Sequence, residues 1–206
     1  MINDLRVCFV GDSFVAGVGD PDQRGWVGRV AGDTHRSGQP LTSYNLGVRR
    51  DTTQDVAACW QQECRRRLPA GSDARLVLCV GVNDTTRESG QRRVAAEDSL
   101  ANVAAIFAGA ASAGWPVLQV GPPPVQDPTQ NERIAQLDSA FSALCQQNFV
   151  PYVTVFDPLH NNGRWMREVA NGDGSHPGNA GYQQFAELVR PAWTAWLRGT
   201  SDGAAA

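Results

Sequence analysis

The chain has 206 residues, 42% of them hydrophobic and 19% charged, so it is long enough to bury a sizeable core and too apolar to stay disordered. With 18 basic against 21 acidic residues the net charge is −3, which leaves no electrostatic footprint for nucleic acid or an anionic membrane. All 18 basic residues are Arg, and a chain without Lys excludes Schiff-base chemistry, a pyridoxal phosphate linkage, a P-loop and a Ser-Lys dyad.

Strand and helix patterns alternate along the chain. Residues 6–10 form a short apolar run that ends at Gly11. It has no basic segment before it, so it reads as a strand and not as a signal peptide. No stretch approaches the ~20 apolar residues that span a bilayer, and a cytoplasmic protein is expected. Trp26, Val27, Val30 and Ala31 recur at helical spacing and predict a helix over 26–36, followed by a second strand over 41–46. Thr52-x-x-Asp55 has the form of a capping box. It opens a helix through Val56, Ala57 and Trp60 that closes on Arg65-Arg66-Arg67, cations at the negative end of the dipole. Residues 75–80 give the strongest strand signal, because Leu76 to Val80 is apolar on both faces.

The second half continues the alternation. A long Ala-rich helix is predicted over 92–113 and a fourth strand over 117–120, stopped by Gly121 and Pro122-Pro123-Pro124. A helix over 132–147, a fifth strand over 152–156 and a closing helix over 179–198 follow. Residues 201–206 form a tail expected to fray. Without a repeat or a linker, the expectation is one domain over 1–206. Five strands alternating with helices predict a parallel sheet covered on both faces, a three-layer α/β/α sandwich with right-handed crossovers. Sites in such sheets lie at the carboxyl ends of the strands.

Cys8, Cys59, Cys64, Cys79 and Cys145 are an odd set without C-x-x-C spacing and read as reduced thiols. His35, His160 and His176 have no ligand neighbours at helical or turn spacing, so no metal site is expected. His35 reads as a surface residue and His160 as structural.

Four blocks stand where chemistry belongs: Gly11-Asp12-Ser13-Phe14 after the first strand, Asn45-Leu46-Gly47 after the second, Gly81-Val82-Asn83-Asp84 after the third, and Asp173-Gly174-Ser175-His176 before the last helix. These residue types suit acyl transfer. A Ser on a strand-to-helix turn is a nucleophile, a His its base, and an Asp three residues earlier orients that His. Gly47 presents a bare backbone N–H, and the Asn83 amide a second donor to a developing oxyanion. Asp12 reads as a turn or cap residue and Asp84 as structural. Asp12, Phe14, Asp84 and Thr85 are expected as supporting or pocket residues, with Val15, Trp26 and Pro123 as further wall. Asp157 is the next acidic candidate should Asp173 not orient His176. Two other motifs fail: no G-x-G-x-x-G follows the first strand, and Val15 stands where a G-x-S-x-G elbow needs its second Gly.

In these four blocks the sequence resembles the SGNH (GDSL-type) hydrolases. The G-D-S block is Gly11 to Ser13, with Phe14 where the family often has Leu; Asn45 to Gly47, Gly81 to Asp84 and Asp173 to His176 are the other three, in order. Asp51-Thr52-Thr53 is also family-like. The resemblance implies a flavodoxin-like sheet of order 2-1-3-4-5. It further implies a serine esterase mechanism without a cofactor, a small-molecule ester substrate, and an oxyanion hole from the Ser13 and Gly47 backbone N–H groups and the Asn83 side chain. The expected protein is a single-domain serine esterase in which Ser13 attacks, His176 carries the proton and Asp173 holds the imidazole. An acyltransferase, a deacetylase of acetylated carbohydrate and an idle binding module on the same fold are the alternatives. The acyl group, the alcohol and the oligomeric state are not legible.

Overall fold

The computed structural model describes residues 4–199, so the tail expected over 201–206 lies outside the described residues. Strand β1 (Leu5–Gly11) leads into a four-residue helix α1 (Ser13–Ala16) and then α2 (Gly25–Arg36). Next come β2 (Thr42–Gly47), α3 (Thr53–Arg65) and β3 (Asp73–Cys79). A 3-10 turn over Asn83–Thr85 runs into an antiparallel hairpin of β4 (Arg87–Glu88) and β5 (Gln91–Arg92). The rest is α4 (Ala96–Ser112), β6 (Val117–Val120), α5 (Pro128–Gln147), β7 (Tyr152–Val153), α6 (Phe156–His160), α7 (Gly163–Asn171) and α8 (Asn179–Gly199).

The sheet runs β2-β1-β3-β6-β7, every neighbouring pair parallel. With the hairpin set aside this is the expected order 2-1-3-4-5. Alternation along the strands explains the two apolar faces. Phe9, Val77 and Cys79 face a core shared with Trp26, Trp165, Phe185 and Trp193. Cys8, Val10, Leu76 and Leu78 face a second core with Trp60, Ile106, Phe107 and Phe141. Helices α2, α7 and α8 therefore cover one side, and α3, α4 and the Leu137, Phe141 and Cys145 face of α5 the other. All five cysteines are free thiols, with Cys59 exposed. Among the described residues no helix is long and apolar enough to cross a membrane.

Local chemistry sets the boundaries. The capping box of α3 is formed: Thr52 Oγ1 accepts from the Asp55 N–H, and Asp55 Oδ2 accepts from the Thr52 N–H at 2.9 Å. Helix α5 starts at Pro128 rather than at 132, because Asp127 accepts from the Thr129 N–H and Pro is already shaped for the first helical turn. Helix α4 starts at Ala96 rather than at 92, since residues 91 and 92 pair in the hairpin. The fifth strand is two residues long and not five; Phe156 instead opens α6. Helix α7, which the sequence reading left out, is capped by Asn162 Oδ1 and buries Trp165 and Val169. Arg75 ties the sheet to the end of α8. Its guanidinium pairs with Asp73 at 2.7 Å, donates to the Trp196 and Leu197 carbonyls, and lies over the Trp196 ring.

Gly11 closes β1 with φ at 155°, and a Cβ there would stand 1.8 Å from the Cys79 carbonyl oxygen. No other residue fits between β1 and β3 at this point, so the backbone reaches Asp12 and Ser13 only through glycine. Replacing Gly11 by Ala is expected to lower the unfolding free energy by ~3 kcal/mol or more. Urea denaturation measures it, and a loss below ~1 kcal/mol would show that the two strands separate freely.

Candidate active site

Ser13 is the first residue of α1. The turn before it is held by Asp12, whose Oδ1 accepts from the Phe14 N–H at 2.9 Å and whose carbonyl accepts from the Ala16 N–H at 3.0 Å. Asp12 is thus a helix cap, as the sequence suggested. Ser13 Oγ lies 2.7 Å from His176 Nε2, and His176 Nδ1 lies 2.7 Å from Asp173 Oδ2. The other Asp173 oxygen accepts from the Ser175 and His176 backbone N–H groups, which folds the loop so that His176 faces back toward its own Asp. Burial pushes the Asp173 carboxyl up, but the backbone N–H of His176, its ring and the Ser175 N–H outweigh it and bring the group to about 2. The ring is backed by Phe14, with centroids 4.9 Å apart. A row of hydroxyl, imidazole and ionised carboxylate can move a proton from oxygen to ring and stabilise the imidazolium that results.

Asn83 begins the 3-10 turn after β3. Its amide donates to the Asp51 carbonyl at 2.9 Å and makes a long contact of 3.4 Å to Asp12 Oδ2. Asp84, buried beside it, accepts from the Thr53 N–H at 3.0 Å, the Thr53 hydroxyl at 2.5 Å and the Ser99 hydroxyl at 3.0 Å. It pins the turn to α3 and α4, which is the structural role expected. Burial raises its carboxyl, against the Thr53 and Ser99 donors.

Gly47 is a correction. Its N–H donates to Asn45 Oδ1 at 3.1 Å, and it lines a separate hollow with Val48, Cys59 and Trp60 rather than the Ser13 cleft. It is glycine for packing: a Cβ would fall 2.2 Å from the Ala16 nitrogen, where α1 crosses the end of β2. Three residues on, Arg50 lines the Ser13 cleft and has φ at +73°, rare for a residue with a side chain. Among the described residues no group accepts from the Arg50 backbone N–H.

The cleft encloses about 340 Å³ between Ser13, Phe14, Val82, Asn83, Thr86, Gln130, Ser175 and His176, with Arg49, Arg50 and Arg93 along its wall. Of the expected wall only Phe14 is there. Val15, Trp26 and Thr85 are wholly buried in the packing, and Pro123 is buried too. Thr85 turns its hydroxyl to the Val82 carbonyl, and Thr86 takes the cleft position. Two consecutive arginines carry no signal of a bent backbone, so Arg49 and Arg50 escaped the sequence reading. His35, His160 and Asp157 are exposed and line no part of the cleft. A larger groove of about 610 Å³ lies at the amino ends of β6 and β7, lined by Phe107, Trp115, Phe149 and Trp196, without a titratable side chain. Among the described residues no cluster of His, Cys, Asp or Glu could hold a metal ion.

The family model described as GDSL-like lipase/acylhydrolase matches residues 9–184. No curated protein sequence matches the chain. Among solved structures, the chain is similar to a lipase/acylhydrolase from Enterococcus faecalis, with a TM-score of 0.72 and 20% identity over 91% of this chain and 94% of that one. It is similar to the psychrotrophic esterase EstA from Pseudoalteromonas sp., with a TM-score of 0.73 and 15% identity over 95% and 100% of the two chains. It is also similar to the acetylxylan esterase Axe2 from Geobacillus stearothermophilus, with a TM-score of 0.74 and 17% identity over 92% and 94%. At such identities the likeness is one of fold.

Asp12 generates a test of its own. It is fully buried, and burial, opposed by the Phe14 N–H and reinforced by the charges of Asp84 and Asp51, pushes it from 3.8 to about 7. The fold therefore favours the protonated form, and the stability this gives is present at low pH and lost as pH rises from about 4 to about 7. Asp12→Asn keeps an acceptor for the Phe14 N–H and removes the titration. Its Tm should gain on that of the natural chain as pH rises through this range, by on the order of 5 °C. A Tm difference that does not change with pH would show that Asp12 titrates normally.

Proposed function

The chain belongs to the GDSL-like lipase/acylhydrolase family and is an SGNH-type hydrolase acting on esters; on that premise we propose that it cleaves a small carboxylic ester through an acyl-enzyme on Ser13, within one catalytic domain. The observation that carries the reading is the unbroken row of two 2.7 Å contacts from Ser13 Oγ through His176 to Asp173.

The roles follow from the charges. Asp173 is ionised at about 2 and accepts from Nδ1, so the neutral imidazole has its lone pair on Nε2, facing the Ser13 hydroxyl. Ser13 Oγ attacks the ester carbonyl carbon as its proton passes to Nε2. Asp173 stabilises the imidazolium, which returns the proton to the departing alcohol. Water, deprotonated by the same ring, then frees the acid. The oxyanion is met by the Ser13 N–H, the Asn83 amide and, in place of Gly47, the unpartnered Arg50 N–H. The Asn83 proton facing Asp12 sits in a 3.4 Å contact, weak enough to be exchanged for a charged oxygen that exists only during the reaction. Polar walls of Thr86, Gln130, Ser175 and three arginines favour a compact polar ester over a long acyl chain.

Ser13→Ala should lower 4-nitrophenyl ester turnover at least ~10³-fold while the far-UV spectrum and Tm hold, since the group is small and sits at a turn. A fluorophosphonate should label Ser13 alone. Labelling at another residue, or activity that survives the substitution, would falsify the nucleophile assignment.

The Asp173 carboxylate stays charged at every pH well above about 2, so the proposed pairing holds across the working range. Asp173→Asn is expected to lower kcat by up to ~10⁴, the loss seen when a triad imidazole takes the wrong tautomer. A kcat within twofold of the natural chain would remove Asp173 from the mechanism.

A further inference from the structure

The chain as a whole is acidic, yet the walls of the Ser13 cleft are not. Among the described residues three arginines line it, Arg49, Arg50 and Arg93, against one acidic residue, Asp173. That carboxylate is committed to the His176 ring and to two backbone N–H groups. Arg93 is fixed: it donates to the Arg50 carbonyl at 2.8 Å and stands 3.6 and 3.9 Å from Glu88 and Asp55. Arg49 and Arg50 are not fixed in this way, with side chains 62% and 72% exposed. Among the described residues the Arg50 side chain gives one hydrogen bond, to Glu88 at 3.0 Å. Among the described residues the Arg49 guanidinium reaches only Asp173, at 3.6 Å, beyond hydrogen-bond length.

A solvated surface Arg needs no ligand, but these two stand side by side at the mouth of a reactive cleft. Their remaining N–H donors form forks that match a carboxylate. From this charge segregation we propose that the ester cleaved at Ser13 carries a second, free carboxylate, which the side chains of Arg49 and Arg50 bind while their loop holds the scissile carbonyl. The proposal rests on the esterase reading above and names its substrate class. The carboxylate belongs either to the acyl part, as in a half-ester of a dicarboxylic acid, or to the alcohol part, as in an acylated hydroxy acid. The Arg49–Asp173 contact would open in the complex and be replaced by a charge-assisted hydrogen bond.

Two matched pairs of probes separate these sources. On the acyl side kcat/KM is compared for 4-nitrophenyl hydrogen glutarate and 4-nitrophenyl valerate; on the alcohol side, for 4-acetoxybenzoate and 4-acetoxybenzamide. In at least one pair the anionic member should be preferred by about tenfold at low salt, as for a hydrogen bond to a charged group. The preference should shrink as salt is raised, because both guanidiniums are exposed. It should also fall at least ~threefold in the Arg49→Gln variant, where the neutral member of each pair reports folding and basal turnover. Neutral esters cleaved without an anionic preference in either pair, or a preference that falls by less than ~threefold in the Arg49→Gln variant, would overturn the proposal and leave the esterase reading standing. No cleavage of any of the four esters would instead overturn the esterase reading, and the proposal with it.

Discussion

Strand β1 is paired along its whole length with β3 on one side and along six residues with β2 on the other. Everything at the site hangs from the end of this strand. Gly11 carries the backbone past the Cys79 carbonyl where no side chain would fit, and Asp12 follows at once. Asn45, near the end of β2, donates to the Val15 carbonyl at 2.7 Å and grips α1 from its far side. Asn83, beyond β3, approaches Asp12 from the other. The turn that presents Ser13 is therefore held by both neighbours of the central strand. That is how a helix of only four residues keeps one orientation, when a helix so short has almost no stability of its own.

At the joint of these elements lies a carboxyl group that costs stability. Asp12 is buried at 1% exposure, and burial moves its titration close to neutral pH. A residue there with no acceptor would leave the Phe14 N–H unsatisfied at the start of α1, so the side chain is required even though its charge is not. Asp84 repeats the pattern one strand away. It too is buried, and it too is kept for the donors it gathers from Thr53 and Ser99. The two carboxyls knit β1, the turn after β3, α3 and α4 into one unit beneath the cleft.

The sheet order and the layers were legible in the residues because alternation and apolar runs report burial directly, as Leu76 to Val80 did. So was the proximity of Ser13, His176 and Asp173: each stands at a strand end or just before the last helix, and parallel topology brings those ends together. The short pieces were not legible. Helix α6 and the hairpin are too brief to show a period, and α7 is set by the Asn162 cap and one inward Trp. Gly47 misled for a different reason. A glycine beside a site invites a reading as a bare donor, whereas this one answers to the Ala16 nitrogen 2.2 Å from its missing Cβ. Arg50 lines the cleft and its N–H has no acceptor among the described residues, but residue type says nothing of a positive φ on an arginine.

The two hydrophobic cores divide the site between them. Ser13 rides on α1, whose Phe14 and Val15 belong to the core under α2 and α8; His176 leans on the same Phe14, and Tyr182 of α8 donates to the Val18 carbonyl nearby at 2.7 Å. Asn83 and the 3-10 turn answer instead to α3 and α4 through Asp84. In the roles proposed, the proton-transfer row and the Ser13 N–H are thus mounted on one wall and the Asn83 donor on the other, with the sheet as the chassis between them. Slackness in the α3–α4 wall would spoil the alignment of donors to the oxyanion while leaving the serine and its base in register. Slackness in the α2–α8 wall would move the serine, its base and the Ser13 N–H donor together. The Asn83 donor can therefore be tuned through its ties to α3 and α4 while the proton-transfer row stays in place.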